Sequence, residues 1–483
     1  MLHLQQYYVN MLVLKNQAGE KKLKKAISTI LLASLININV APSFAIQTTE
    51  SHNKSSGLMP QSNIATNQYK YDYINLTWWK AFDDAYLTAY VKQAIDNNHS
   101  LKASSLATQE YYQAMKAQFA AELPQITTGF LPGYSKLPTS NDSNWAFSLP
   151  IFATYELDLF AKNRNKTQSS RKSYEVSLQN ERSAHISVAS AVGTTYFNLI
   201  KLDKTIELQE NIVKLREDIF NLEKLRYDEG IASAVELVNS EKAFISAQNN
   251  LIELKKYQYT MLNQFAVLIG ESPENAEQIQ RNSLENINYS KTIPTEISTE
   301  IIVNRPDYQK AELSVAKAGL DVKIAKKEML PSIKLGGLAF FNSDKFSSLL
   351  TTNTMLAGLG GGILWPIFTG GQRIANLKIK KAQYERILEN YYQTNLTAIQ
   401  EVNDSLYILK SDDKRYNQIV KQYELEKKNF TLNQEKFAQG IISKYDLLRF
   451  EENLLSLEIQ LHSYKTEKII GFIGLYKATG SNL

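Results

Sequence analysis

Between Gly371 and Gly440 the chain runs without an internal glycine or proline. A helix filling that span would reach on the order of 100 Å at 1.5 Å per residue. A second span, residues 161–228, matches it and holds one glycine, Gly193, where the sequence predicts an interruption. Rods of this length have no place inside a single globular core. Each ends at a glycine, Gly230 or Gly440, a residue type suited to a helix end that needs positive φ. A shorter return helix then closes at Gly270 or Gly480. Near the turns the apolar residues Leu208, Ile212, Leu215, Ile219 and Leu222 step by four and three, and Leu447, Phe450, Leu454, Leu457 and Leu461 by three and four. That is the spacing of antiparallel coiled-coil hairpins.

The two rods belong to a repeat. Residues 227–233 (YDEGIAS) match 437–443 (FAQGIIS), Glu236-Leu237 falls on Asp446-Leu447, and Leu123-Pro124 parallels Leu330-Pro331. Each copy opens with a helix, predicted over residues 84–122 and 306–329, and stops at the Leu-Pro pair because proline cannot continue it. Alternating segments follow. Trp145, Phe147, Leu149, Ile151, Ala153, Tyr155 and Leu157 have the period of a strand with one apolar face. The partner is predicted at 126–134, and the second copy's strands at 333–341 and 355–367. Their lengths suit membrane strands of roughly 9–11 residues.

Four such strands cannot close a barrel, and an open edge in lipid leaves backbone groups unpaired at several kcal/mol each. The edges must be closed by other copies of the chain. Three copies supply roughly 12 strands, enough for an aqueous lumen. The expected fold class is therefore an α+β membrane protein: a trimeric 12-stranded transmembrane β-barrel, four strands per protomer, continued by a long α-helical barrel of coiled coils, with two internal repeats.

Composition narrows the function. The absence of cysteine excludes disulfides, thiolate metal sites and cysteine nucleophiles. Of the net charge of +5, most sits in residues 1–45, where five lysines oppose Glu20, leaving roughly +1 for the rest and no case for nucleic acid. The run Lys21-Lys22-Leu23-Lys24-Lys25, an apolar stretch over 26–36 and Pro42-Ser43-Phe44-Ala45 read as a signal peptide cleaved after Ala45. The apolar run falls short of the ~20 residues of a spanning helix. Translation starting at Met11 fits this leader as well as Met1 does. His3, His52, His99, His185 and His462 show no ligand spacing, Gly358 and Gly360 to Gly362 precede an apolar strand segment and not a helix, and no Walker A or G-x-S-x-G pattern is present. No enzyme activity, cofactor or metal is expected. The chain divides into leader (1–45), N-terminal periplasmic segment (46–83), first repeat (84–270), connector (271–304), second repeat (305–480) and tail (481–483).

Residues 78–84 (WWKAFDD), Leu157-Asp158-Leu159-Phe160 with Arg164, Arg305-Pro306-Asp307, and residues 366–373 (PIFTGGQR) are, in this order and spacing, similar to the TolC-like outer-membrane efflux factors. The resemblance covers residues 78–480 and is greatest to the OprM and CusC branch, which partners resistance-nodulation-division pumps. It implies a homotrimer in outer-membrane lipid, a helical barrel in the periplasm, an equatorial region built partly from the connector, and a passive role in multidrug efflux beside an inner-membrane pump and a periplasmic adaptor. Many relatives carry a lipidated cysteine at the mature N-terminus; this chain has none and must be held by its barrel.

The same resemblance places the hairpin turns at the tip that docks the adaptor, making Arg226, Tyr227, Gly230, Ser233, Lys436, Phe437, Gly440 and Ser443 candidate contacts. Asp446 matches an acidic ring at the closed entrance, with Glu236 its counterpart in the first copy; three carboxylates around an axis would attract cations. Relatives carry a second acid where this chain has Arg449, so an ion pair between Asp446 and Arg449 of neighbouring subunits and a solvated helix face stand as alternatives. Trp145 and Trp365 are candidate interfacial anchors, although aromatics suit ordinary strand packing too. Arg305-Pro306-Asp307 reads as a helix start. A type I protein-secretion duct and a poreless periplasmic coiled-coil scaffold remain the rival functions.

Overall fold

The computed structural model describes residues 78–136, 143–287, 289 and 292–480. The leader, residues 46–77 and the tail lie outside the described residues.

Helices α1 (Ala85–Asn97) and α2 (His99–Ala120) occupy the region predicted as one helix. The break at Asn98 has a tertiary cause. Its Oδ1 accepts from the Leu101 N–H at 3.1 Å and caps α2, while its Nδ2 donates at 2.8 Å to the Leu268 carbonyl, in the last turn of another helix. One side chain thus satisfies two helix ends, each of which leaves backbone groups without intrahelical partners.

Strands β1 (Gln125–Thr128) and β2 (Leu131–Lys136) both pair antiparallel with β3 (Ser143–Leu157) in one continuous register. The sequence predicts a single strand here. Pro150 stands opposite the gap: its carbonyl accepts from the Gly129 N–H at 3.2 Å, but it has no N–H to return. The second copy supplies β4 (Ser332–Ser343) and β5 (Met355–Leu364), giving the order β1/β2, β3, β4, β5 with every neighbour antiparallel. The last strand stops three residues short of its predicted end, since Trp365-Pro366 begins a tight turn, the Ile367 N–H donating to the Trp365 carbonyl at 3.0 Å.

Both rods are present. Helix α3 (Lys162–Asp228) and, after α5 (Pro306–Lys327), helix α6 (Gln372–Ala438) each run 67 residues; the returns are α4 (Ala234–Ile269) and α7 (Lys444–Ala478). The order helix, strands, rod, return helix therefore occurs twice.

Gly193 does not interrupt α3; it makes room. A Cβ there would lie 2.6 Å from the Trp78 ring and 3.1 Å from Ile473. Trp78, 2% exposed, packs edge-on to Trp79 and Phe82 and stacks on Tyr476 at 6.0 Å. Around it Leu87, Val91, Tyr196, Phe197 and Phe265 complete the main apolar core, where α1, α3, α4 and α7 meet. Full burial of an aromatic this size contributes roughly 3 kcal/mol. The connector is strapped over this core by charge: Arg281 donates to Asp203 at 2.7 and 3.1 Å, Lys204 pairs with Glu285 at 2.9 Å, and Lys465 donates to the Leu284 carbonyl at 2.7 Å. Tyr196 donates to Asp84 at 2.8 Å and accepts from the Asn282 N–H, and burial pushes its phenol pKa up.

Candidate functional site

At the far end of each rod the chain reverses in the same way. Gly230 and Gly440 take φ of +72° and +71°, a conformation that costs glycine nothing and other residues a Cβ clash. The Ile231 N–H then bonds the Arg226 carbonyl at 2.7 Å, and the Ile441 N–H bonds the Lys436 carbonyl at 2.9 Å. These are the closing bonds of a Schellman turn. Tyr227 and Phe437 stay partly exposed beside the turns, with Ile231 and Ile441 exposed on them.

The next helices start with capping boxes. Ser233 Oγ accepts from the Glu236 N–H at 3.2 Å while Glu236 accepts from the Ser233 N–H at 2.7 Å. In the second copy Ser443 Oγ accepts from the Asp446 N–H at 3.1 Å, and Asp446 accepts from both the Ser443 N–H and its hydroxyl. Glu236 and Asp446 therefore sit in the first turns of α4 and α7, and each has a local structural task. The bond from the Ser233 backbone N–H, then that from its hydroxyl, holds the Glu236 carboxyl below the usual range.

The two tips are tied together through Tyr445, a residue that the sequence did not single out. Tyr445, at the start of α7, lies between two guanidinium groups: Arg226 of the first tip at 6.0 Å and Arg449, one turn along its own helix, at 5.9 Å. Arg226 is itself held by the nearly buried Glu223 at 2.6 Å. Leu215 and Ile219 of α3 pack on Leu448 of α7, with Arg216 paired to Glu452 alongside. Leu215 and Ile219 of the first copy's heptad thus join the two copies to each other. Within one chain Arg449 faces Tyr445.

The register sorts the sheet into two faces. One carries Ile126, Phe130 and Tyr134 beside Trp145, Phe147, Leu149, Ile151 and Tyr155, then Ile333, Leu335 and Phe341, then Met355, Leu359 and Ile363. The opposite face is mixed: it carries Thr127, Asn144, Ser148, Thr154, Glu156, Lys334 and Asn342, the apolar Phe152, Leu338, Phe340 and Leu356, and on β5 Gly358, Gly360 and Gly362. A wall that is apolar on one side and mixed, with its polar groups and bare glycines, on the other suits lipid against water. Trp145 packs on Tyr134 and Phe147 near the hairpin end of β3. Trp365 lies just past β5 at the helix end and is exposed.

Arg305 was read as a helix start, and Pro306 is indeed the first residue of α5. Its side chain does more. It is buried and donates to Asp307 at 3.0 and 2.7 Å, to Glu401 of α6 at 2.5 Å and to the Ala478 carbonyl of α7 at 2.5 Å, so three helices meet on one guanidinium. Among the described residues there is no cluster of ligand-type side chains fit for a metal, and no helix is long and apolar enough to cross a membrane.

A wall with one apolar face on a frame of paired rods is the plan of a membrane duct. The outer membrane efflux protein family model matches residues 90–271 and 297–481, one stretch per copy, and the chain belongs to this family. Toxin and drug export protein A of Aggregatibacter actinomycetemcomitans is 25% identical over 422 residues, covering 83% of this chain and 91% of that protein. The cation efflux system protein CusC of Escherichia coli is 24% identical over 417 residues, covering 85% and 89%. Among solved structures, the CmeC outer membrane channel of Campylobacter jejuni shares the fold with a TM-score of 0.77 at 22% identity, covering 92% of this chain and 94% of that one. The open state of the MtrE outer membrane channel of Neisseria gonorrhoeae aligns with a TM-score of 0.72 at 23% identity, covering 82% and 89%.

Proposed function

We propose that three copies of this chain form an outer-membrane duct: a 12-stranded barrel through the lipid, continued by a helical barrel in the periplasm, whose tip docks a periplasmic adaptor and receives cargo from an inner-membrane pump of the resistance-nodulation-division type. One observation carries the reading. The sheet ends in two open edges, β1/β2 and β5, and the helical frame, in which α4 packs on α3, α3 on α7 and α7 on α6, has exposed apolar stripes on its two outer helices. Val238, Ile245 and Ile252 repeat every seven residues on α4, as do Leu425 and Leu432 on α6. Sheet and frame are unfinished on both flanks, and a ring of copies finishes both at once.

The anchors fit the same picture. By register about 14 residues separate the levels of Trp145 and Trp365, roughly 46 Å along a strand and about 35 Å along the normal at the usual tilt. That separation supports one aromatic near each headgroup layer of a bilayer ~40–45 Å thick overall. The candidate adaptor contacts are Arg226, Tyr227, Gly230 and Ser233 on the first tip and Lys436, Phe437, Gly440 and Ser443 on the second. Glu236, Asp446 and Arg449 form the entrance, where three Asp446 carboxylates select cations after serving as caps.

Detergent-purified protein should run as a trimer and conduct ions in planar bilayers. Soluble monomers without conductance would overturn the reading. A second reading, a duct for secreted proteins, draws support from the relative named for both toxin and drug export. A deletion strain that loses drug resistance but secretes normally favours the efflux reading; the reverse favours secretion.

A further inference from the structure

Each rod begins with cations alone. Helix α3 opens with Lys162, Arg164, Lys166, Arg171 and Lys172 before its first acid, Glu175; α6 opens with Arg373, Lys378, Lys380 and Lys381 before Glu385. Beyond those points acids and bases are interspersed. The helix dipole disfavours positive charge at an N-terminus, so both copies hold these cations where they work against the helix. Pairing accounts for only part of them. Lys162 bonds Glu156, Arg164 lies 3.5 Å from Asp158, Lys166 lies 3.9 Å from Glu328, and Arg171 and Lys172 share Glu175, while Lys378 and Lys381 are exposed.

The loops leading into the rods are the opposite in chemistry and equally open. Ile367 and Phe368 are 85% and 89% exposed, and Leu159, Phe160, Trp365, Ile374 and Ile379 are exposed around them. All lie just past the helix ends of β3 and β5 or in the first turns of α6. Exposed aromatic and aliphatic side chains beside exposed cations describe a surface that reaches into acyl chains with one set of groups and meets phosphates with the other.

We propose that this collar binds the anionic phospholipids of the leaflet facing the periplasm, Ile367 and Phe368 entering the acyl layer while Arg373, Lys378 and Lys381 hold headgroup phosphates. This rests on the sheet spanning the membrane as proposed above. The collar sets the depth of the barrel and fixes the loops from which the rods hang.

The test uses the full chain in vesicles of phosphatidylcholine alone or with phosphatidylglycerol, followed by native mass spectrometry of retained lipid. Wild-type protein should retain phosphatidylglycerol over phosphatidylcholine, with a preference that falls as salt rises. Arg373→Gln/Lys378→Gln/Lys381→Gln should weaken retention by about fivefold per cation removed. Lys421→Gln/Lys427→Gln/Lys428→Gln, far down α6, should leave it unchanged. Equal retention of the two lipids by inserted, conducting wild-type protein overturns the collar and leaves the duct standing, even where the triple variant fails to fold. Altered ion selectivity in that variant with unaltered lipid retention overturns it too, by assigning the cations to the lumen. Failure to insert or conduct in either vesicle counts against the duct itself.

Discussion

Replacing Arg305 by alanine removes one side chain and unfastens three helices. Four hydrogen bonds disappear: two to Asp307, one to Glu401 and one to the Ala478 carbonyl. Bonds to charged groups contribute about 1.5–3 kcal/mol each when buried. The carboxylates of Asp307 and Glu401 are close to half exposed and can rehydrate, so solvent screening cuts their share to about 1 kcal/mol each. The Ala478 carbonyl and the arginine stem packed against Gly480 add about 2 kcal/mol. The sum, roughly 4 kcal/mol, falls within the cost of breaking a buried ion pair. For a chain this size it should lower the melting temperature by about 5 °C or more. Thermal unfolding followed by circular dichroism in detergent reads it directly, with Arg171→Ala, at a solvated ion pair, as the control that should hardly move.

Acid supplies a second arm. Burial would raise the Asp307 pKa, but the bonds and charge of Arg305 outweigh it and hold the carboxyl below its usual value. A depressed folded-state pKa gives stability that is complete above the unfolded value near ~3.9 and is lost as pH falls through the folded one. The gap between wild type and Arg305→Ala should therefore narrow below about pH 4. An Arg305→Ala protein that melts with the wild type at pH 7 would refute the reasoning.

Gly193→Ala gains about 1 kcal/mol of helix propensity but drives a methyl into the Trp78 ring, an overpacking cost of about 1–3 kcal/mol; a net loss of stability in the same melting assay is expected. Ala161, the residue before α3, sits at φ +55° where the second copy has Gly371, so Ala161→Gly should stabilise by up to about 1 kcal/mol. Asp446→Ala should raise single-channel conductance or weaken divalent-cation block, at a cost of about 1 kcal/mol for the broken capping box; a channel unchanged in bilayers would remove the entrance role. Tyr445→Ala removes the ring between Arg226 and Arg449 and should increase tip mobility, read as faster backbone amide exchange over residues 223–232 and 437–450.

Rods, strands and turns were legible because each is written locally: freedom from glycine and proline, alternation of period two, and a glycine at each reversal. The capping boxes Ser233–Glu236 and Ser443–Asp446 were equally local, and the spacing of serine to acid could have revealed them. Other features had no local trace. Asn98 breaks the first helix because the Leu268 carbonyl needs a donor, and Gly193 looked like an interruption because its reason, Trp78, lies more than a hundred residues earlier. Pro150 was visible, but which neighbouring strand would lose a bond depended on the register. The partners of Arg305 stand 96 and 173 residues away, and those of Tyr445 are set by how the two hairpins lie together.

On the mixed face of β5, Gly358, Gly360 and Gly362 follow one another, and a methyl added to any of them would meet nothing within 4 Å. If that face lines the bore, these three positions offer cargo bare main chain and no bulk to narrow the way, with Leu338 and Lys334 standing opposite Gly358 and Gly362 on the neighbouring strand. Such a stretch leaves room for passengers of many shapes, and the choice of what departs falls to whatever loads the far end.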